Sequence, residues 1–309
     1  MVALPNAVSR YLPKLPFPFS APTVPGGVEV PAGKPRSGSD YDTAWARRYP
    51  ARVARAALVE AVARPAVQAL ARPQLHGLDR LDPLVEAGDP VIFAANHHSH
   101  VDTPLLSCSV PEPWRHRLFV AAAADYFFRT RVTSVVSALV IGAIPIDRSR
   151  VSRRSADRAA DLIDDGWSML IFPEGGRSPD GWGQPFRGGA AYLALRCGVP
   201  VVPVHLEDTG RILRKGRKLP TPATARVTFG HPLVPAPGDD ARRFGATLER
   251  AVAALADEAT SDWWQARRRA HAGETPALTG PSAPAWRRAW ALGDPDRRRT
   301  RQRRRWPAN

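Results

Sequence analysis

Short apolar runs alternate with helical patterns along the chain from about residue 75, and this alternation limits the available folds more than any other feature. The runs that resemble buried strands cover residues 91–95, 118–122, 139–146, 169–172, 199–206 and 226–229. The helical patterns between them include residues 153–165, 189–197 and 239–260. Strands that are apolar on both faces are typically covered by helices on both sides. The sequence therefore predicts an α/β domain with a central, mostly covered sheet flanked by helices.

Two segments precede this domain, which we place at residues 75–265. Residues 1–40 are rich in Pro, Gly and Ser and are predicted to be disordered. Residues 41–74 form an amphipathic helical segment, with arginines between its apolar positions and predicted breaks at Pro50 and Pro65. Such a helix either lies on an anionic membrane or packs on the core with a solvated basic face, and the sequence leaves both open.

Residues 266–309 are predicted to form a flexible basic tail. The segment is rich in Arg and Pro, with Trp286, Trp290 and Trp306 interleaved. Arginine with tryptophan suits a membrane interface, and it also suits nucleic acid. A solvated tail without a partner is the third interpretation.

Charge and cysteine content limit the class of protein. The net charge of +15 draws such a chain to anionic surfaces, either nucleic acid or acidic lipid headgroups. Cys108 and Cys197 are too few for a disulfide framework, so we expect reduced thiols in a cytoplasmic protein. The sequence shows neither a signal-peptide pattern nor an apolar run of about 18 residues, so we expect no membrane span.

The most informative polar block covers residues 96–102, with the sequence Asn-His-His-Ser-His-Val-Asp, directly after the first predicted strand. A neutral imidazole at His97 can take the proton of an attacking hydroxyl. A carboxylate at Asp102 can fix the tautomer of that ring and stabilise the imidazolium that forms. Asp102 also resembles an N-cap, because Pro104 follows in the first turn of a predicted helix. The block therefore predicts a general base and its orienting carboxylate.

A rival interpretation uses the same residues. His98, His100 and Asp102 fit the H-x-H-x-D pattern of binuclear zinc hydrolases of the metallo-β-lactamase type. That family has a histidine directly after the aspartate, whereas this chain has Thr103. The remaining histidines show no ligand spacing, so we expect neither a metal nor a cofactor.

A second polar block, residues 173–178 (Pro-Glu-Gly-Gly-Arg-Ser), follows the predicted strand at 169–172. Glycines after a strand let backbone N–H groups approach an anion. Arg177 adds a permanently charged fork suited to phosphate, and Ser178 adds a hydroxyl donor. Glu174 beside this basic site needs an arginine or a substrate hydroxyl as partner. A glycine turn with a solvated salt bridge is the plainer alternative.

Two more segments repeat this arrangement. Residues 142–148 form a loop that leaves an apolar run and carries Arg148. Residues 186–190 open a helical pattern, where backbone donors and Arg187 can meet an anion.

The order of these blocks along the chain makes the pattern specific. N-H-x-S-x-x-D, G-x-I-P-x-x-R, F-P-E-G-x-R-S and an apolar V-P-V strand occur in that order within about residues 75–235. This order resembles the 1-acylglycerol-3-phosphate acyltransferase family of glycerolipid acyltransferases. The resemblance implies that His97 is the general base and that Asp102 orients it. It also implies an acceptor site lined by Arg148, Glu174, Gly175, Arg177 and Ser178. Gly176 stands where the family usually has threonine, which removes a hydroxyl near the phosphate.

The resemblance implies an O-acyltransferase whose substrates are an acyl thioester donor, either acyl-CoA or acyl-carrier protein, and a lysophospholipid acceptor. The expected reaction converts lysophosphatidic acid to phosphatidic acid, and another lysolipid or a glycerol-phosphate-like acceptor is the alternative. We expect a protein that is peripheral on the inner face of the cell membrane and binds its anionic surface. A nucleic-acid-binding protein that uses the arginine-rich tail is the alternative from another class. It leaves the ordered blocks unexplained, and we find no nucleic-acid-binding signature.

Overall fold

The computed structural model of the chain describes residues 38, 41–146, 153–178, 182–213, 219–236 and 238–280. Except for residue 38, the predicted disordered segment 1–40 lies outside these ranges. Residues 281–309 of the predicted tail and Arg148 lie outside them as well.

The described residues form a seven-stranded sheet in the order β1-β7-β6-β2-β5-β3-β4. Its strands are β1 (Gln74–His76), β2 (Ile92–Ala95), β3 (Leu118–Ala123), β4 (Ala143–Ile146), β5 (Ser168–Ile171), β6 (Val201–Glu207) and β7 (Arg226–Phe229). Strands β2 to β6 run parallel, and β7 is antiparallel to β6 while β1 is parallel to β7. The α/β class with a central sheet is therefore confirmed.

Helices cover the sheet. They are α1 (Tyr49–Leu58), α2 (Arg64–Ala71), α3 (Asp82–Ala87), α4 (Asp102–Ser109), α5 (Glu112–Arg115), α6 (Ala124–Phe127), α7 (Arg131–Val140), α8 (Arg153–Asp164), α9 (Gly189–Cys197), α10 (Thr209–Ile212), α11 (Ala241–Thr260) and α12 (Trp263–Ala272). Short 3₁₀ turns cover Ala44–Arg47 and Leu78–Leu81. Within the described ranges, we find no helix that is both long and apolar enough to cross a bilayer.

Both faces of the sheet are buried, and β2 shows this residue by residue. Val91, Phe93 and Ala95 belong to one apolar cluster, whereas Ile92 and Ala94 belong to another on the opposite face. The predicted cover on both sides is therefore present. The apolar residues of α2 that are buried, Val67 and Ala71, join the first cluster, so the helical segment before the sheet packs on the core.

Two strand predictions need correction. The run at 139–146 was expected to be one strand, but only Ala143–Ile146 is, because the preceding residues end helix α7. A capping box between Thr130 and Thr133 starts that helix, and Gly142 at φ +63° separates helix from strand. Strand β1 was not predicted, because three exposed residues give no periodic signal.

The break predicted at Pro50 is present, because extended Arg48 separates the turn at Ala44–Arg47 from α1. The break predicted at Pro65 is wrong. Pro50 lies in the first turn of α1, where a missing N–H costs nothing. A π-helical turn at Val59–Ala63 joins α1 to α2 just before Pro65. The wider turn changes the hydrogen-bond register, so the chain stays helical through the proline.

Helix α12 corrects the boundary predicted at residue 266, which falls inside it. Asp262 accepts a hydrogen bond from the backbone N–H of Gln265 and starts the helix. Arg269 then donates to both carboxylate oxygens of Asp257 on α11, each at 2.7 Å. Periodicity misses this helix because Ala266 is its one buried residue.

Arg55 on α1 is a buried cation that holds the end of α7. Its guanidinium donates to the carbonyl oxygens of Ala46 (2.6 Å), Leu139 (2.8 Å) and Ala138 (3.2 Å). Burial, followed by the charges of the neighbouring arginines, lowers the pKa of Arg55 to about 10. A Cβ at Gly142 would lie 3.2 Å from this guanidinium, so the glycine leaves room for it.

We expect Arg55→Ala to lower the free energy of unfolding by about 2–4 kcal/mol, because three carbonyl groups lose their donor next to a new cavity. Urea titration followed by circular dichroism measures the change. Arg268→Ala on exposed α12 is the control and should stay within about 0.5 kcal/mol of wild type. Equal midpoints for the two variants would contradict the role given to Arg55.

Candidate active site

The sheet order brings two of the polar blocks together. Strand β2 pairs with β5 in parallel, so the loops that follow these two strands leave the sheet at the same edge. The register places Ala94 beside Ile171, and three residues further along each chain His97 stands opposite Glu174. The backbone N–H of His97 donates to Oε1 of Glu174 at 2.9 Å.

His97 and Asp102 form the predicted pair. Nδ1 of His97 lies 2.9 Å from Oδ2 of Asp102, which is fully buried at the start of α4. The imidazole also stacks on Phe172, with ring centroids 4.2 Å apart, and its side chain stays 17% exposed. Because Nδ1 faces the carboxylate, Nε2 is the nitrogen available to accept a proton from a substrate.

The N-cap role predicted for Asp102 is wrong, because the cap residue of α4 is Val101 and Asp102 is the first helical residue. The carboxylate turns back into the preceding loop. There Oδ2 accepts hydrogen bonds from the backbone N–H groups of His98 (2.6 Å) and Ser99 (2.8 Å). These donors hold the carboxylate against His97 and define the shape of the loop.

Glu174 is turned inward and is 2% exposed. Its Oε1 accepts from the backbone of His97, and its Oε2 accepts from the backbone N–H of Gln184 at 2.9 Å. Burial raises the pKa of Glu174 to about 7, against the opposite effect of the two backbone hydrogen bonds. The charges of Asp102 and Glu249 raise this pKa further.

Gly175 is required by the turn that follows β5. Its N–H donates to the carbonyl of Phe172 at 3.0 Å, and its φ is +70°. A Cβ here would lie 2.8 Å from Nε of Arg187, so only glycine lets this arginine approach the turn. Arg187, on the exposed side, also donates its backbone N–H to the carbonyl of Pro173 at 2.9 Å.

The remaining predicted acceptor residues lie near this turn. The backbone N–H of Ser178 donates to the carbonyl of His97 at 2.9 Å, which ties the two blocks together. Arg177 is half-buried. The pKa of His100 is lowered first by the burial of that histidine and second by the charge of Arg177, so the two side chains lie near each other. Arg148 lies outside the described residues, and its place in the site stays a prediction.

Sequence reasoning gave no role to Asn96, which is 1% exposed at the end of β2. Its side chain donates to the carbonyl of Leu206 at 2.8 Å and accepts from the N–H of the same residue at 2.7 Å. This bridge fixes the loop to β6. The signal that could have identified this role is a polar amide directly after an apolar strand.

The side chains of the H-x-H-x-D pattern find different partners. His100 stacks on Tyr126 and lies 3.1 Å from the tyrosine hydroxyl through Nε2, whereas Asp102 contacts His97. In the part of the chain that the structure describes, no three His, Cys, Asp or Glu side chains are placed to share a metal ion. The zinc alternative therefore finds no support there.

Residues 72–207 match the family model described as Acyltransferase. Over these residues the chain is similar to the acyltransferase family. The chloroplastic 1-acyl-sn-glycerol-3-phosphate acyltransferase of Brassica napus is 30% identical over 144 residues, covering 44% of this chain and 38% of the relative. The beta form from Homo sapiens is 29% identical over 141 residues, covering 45% and 49%. The chain thus matches less than half the length of these relatives.

The crystal structure of the 1-acyl-sn-glycerophosphate acyltransferase PlsC from Thermotoga maritima has a similar fold. The TM-score is 0.55 at 23% identity, and the likeness covers 72% of this chain and 84% of that one. The acyltransferase domain therefore shares the architecture of that protein, and the family resemblance inferred from the blocks is confirmed.

We expect His97→Ala and Asp102→Asn each to lower the rate of acyl transfer by roughly 10²–10⁴-fold without unfolding the protein. Asparagine keeps an oxygen for the two loop N–H groups, and its amide takes the place of Oδ1, which has no hydrogen-bond partner among the described residues. The substitution thus removes mainly the charge that stabilises imidazolium. Steady-state rates of folded variants are the measurement, and exposed His231→Ala is the control. Wild-type turnover in His97→Ala would refute the assignment.

Proposed function

We propose that the protein is an O-acyltransferase that moves a fatty acyl group from an acyl thioester to a lysophospholipid, with lysophosphatidic acid as acceptor. The observation that carries the proposal is the contact between His97 and buried Asp102 beside the Glu174 turn, within a segment that matches the acyltransferase family. The relatives named above, which are 1-acyl-sn-glycerol-3-phosphate acyltransferases, support this choice of acceptor.

The reaction we propose needs one base and no acyl-enzyme. Nε2 of His97 takes the proton of the acceptor hydroxyl while the oxygen attacks the thioester carbonyl. The tetrahedral intermediate collapses with cleavage of the C–S bond. The leaving thiolate takes the proton back from the imidazolium, so the products are an ester and a free thiol. Asp102 stabilises the imidazolium between these steps.

The acceptor phosphate would be bound mainly by side chains. Two backbone N–H groups of the turn are already used, since that of Gly175 donates to Phe172 and that of Ser178 to His97. Arg177 is therefore the first candidate to bind the phosphate, together with Arg148 as the resemblance implies. Exposed Arg187 beside Gly175 is a further cation at the same turn.

We also propose that the enzyme reaches its lipid substrate as a peripheral protein on the inner face of the cell membrane. The net charge of +15 supports this, because each basic residue near an anionic leaflet contributes about 1 kcal/mol.

Incubating the purified protein with a labelled acyl thioester and a panel of lysolipids in detergent tests the proposed function. Mass spectrometry identifies the product, and parallel reactions with acyl-CoA and acyl-carrier protein identify the donor. We expect acylation of lysophosphatidic acid in preference to lysophosphatidylcholine, because a phosphomonoester offers more charge to the arginines. No acylated product with any lysolipid would refute the proposal.

Within the same assay, Arg177→Ala should raise the acceptor KM roughly 10- to 100-fold, since a charge-assisted contact is worth about 1.5–3 kcal/mol. The thioester KM should change less than twofold. Exposed Arg250→Ala on α11 is the control. An unchanged acceptor KM would mean that the phosphate binds elsewhere.

A further inference from the structure

Helix α7 presents three valines to solvent, whereas two of its serines face the protein. Val132, Val135 and Val136 are 73%, 41% and 52% exposed, and their spacing places them on one side of the helix. The buried residues of α7 are Ser134, Ser137 and Ala138. An amphipathic helix on a water-soluble surface has the opposite arrangement. An apolar face of this kind marks a surface that meets another apolar phase.

Helix α6 packs against α7 and reaches the loop that carries His97. Tyr126 on α6, which is 50% exposed, stacks on His100 with ring centroids 5.2 Å apart. His100 lies three residues after His97, and α6 follows β3 at the edge of the sheet where the site lies. We call Tyr126, Val132, Val135 and Val136 the α7 face.

The charges next to the α7 face favour an anionic partner. Arg129 and Arg131 are both exposed at the beginning of the helix. A cation in the first turn opposes the helix dipole, so Arg131 does not serve helix stability there. Asp125 is the one acidic residue between 124 and 140.

We propose that the α7 face docks on an anionic lipid bilayer, with its valines at headgroup depth and Arg129 and Arg131 on lipid phosphates. This inference rests on the proposed function, in which the acceptor is a lipid. Docking there places the loop that carries His97 at the membrane surface, so a lysolipid reaches the base without leaving the bilayer entirely.

Co-sedimentation with phosphatidylglycerol–phosphatidylcholine vesicles over a salt series tests the docking surface. The double substitution Val132→Ser with Val136→Ser should weaken binding at least tenfold at high salt, where apolar contacts remain after charges are screened. Val234→Ser is a matched control, because Val234 is 69% exposed near Leu233, which bridges to the start of β6. Its binding should equal that of wild type.

Substitution of Arg129 and Arg131 by alanine should remove binding mainly at low salt. Equal vesicle binding by wild type and the double valine variant at every salt concentration would overturn the docking proposal. So would a dimer in solution that the double variant abolishes, because a second copy would then cover the face. Acyl transfer to an acceptor in detergent tests the proposed function apart from the docking. A wild-type protein that is inactive in detergent refutes the function, whereas the vesicle-binding measurements decide the docking.

A second inference concerns Glu174, which the family resemblance places among the acceptor contacts. Both of its carboxylate oxygens accept backbone hydrogen bonds, one from His97 and one from Gln184, and the side chain is 2% exposed. We infer that Glu174 is a positioning residue that holds the backbone of His97 and does not contact the acceptor. Since the N–H that it binds belongs to the base itself, a shift of the carboxylate shifts the imidazole.

Glu174→Gln tests this role, because an amide presents N–H groups to one of the two backbone donors. We expect kcat to fall roughly 10- to 100-fold, with both KM values within twofold of wild type. Glu174→Asp should lose activity too, since the shorter chain cannot reach both N–H groups. Glu249→Gln is the control above about pH 8, where Glu174 is charged in both proteins: Glu249 accepts from the backbone N–H of Phe186 at 3.3 Å, and its charge acts on Glu174 through the pKa.

The pH profile of kcat gives an independent measurement. With a pKa of about 7, Glu174 becomes protonated as the pH falls, and one oxygen then turns from acceptor to donor. Protonation of Glu174 should therefore lower wild-type kcat below about pH 7, and Glu174→Gln should lack this contribution to the decline. A higher acceptor KM with unchanged kcat would overturn the inference and favour direct acceptor contact. Full activity in Glu174→Gln would overturn it as well, whereas inactive wild type would refute the proposed function instead.

Discussion

The parallel pairing of β2 with β5 is the constraint on which the site depends. It sets Ala94 beside Ile171 and so delivers His97 and Glu174 to the same place at the edge of the sheet. On the other side of β2, the bridge from Asn96 to Leu206 anchors the loop to β6. A loop held from both neighbouring strands has little freedom. The base is therefore in position before a substrate arrives, which lowers the entropy lost on reaching the transition state.

Two buried carboxylates lie next to the base, and backbone N–H groups donate to both. Asp102 accepts from His98 and Ser99, and Glu174 accepts from His97 and Gln184. Such donors carry no formal charge, so the charge of Asp102 is not cancelled, whereas Glu174, with a pKa raised to about 7, is charged only in part at neutral pH. A negative field around His97 favours the imidazolium that general-base catalysis creates. Arg177 at the same turn is half-buried, and on the proposed function its charge binds the acceptor phosphate.

Much of this arrangement could be predicted from the sequence, and the limits have physical causes. The α/β class follows from strands that are apolar on both faces, and the meeting of the two loops follows from the shared edge of parallel strands. The direction in which Glu174 points depends on the register between β2 and β5, which periodicity does not encode. Asp102 was expected to cap α4, yet the N–H groups of the preceding loop compete for the same oxygen. Arg148 remains a prediction from the family pattern, outside the described residues.

The apolar run that ends at Ile146 shows where such reasoning fails and why the failure is informative. The strand predicted at 139–146 took in the last two residues of helix α7, because an apolar run does not show where a helix ends and a strand begins. The interior side of α7 consists of Ser134, Ser137 and Ala138, which are small enough to pack closely. The hydroxyl of Ser134 donates a hydrogen bond to the carbonyl of Thr130 at 2.7 Å. The larger valines therefore lie on the outside, where exposure of their apolar surface to water is unfavourable. On the docking proposal that cost disappears at the bilayer, because the valines then leave water while the nearby arginines meet lipid phosphate. Helix α7 thus links the fold to the lipid on which the proposed chemistry depends.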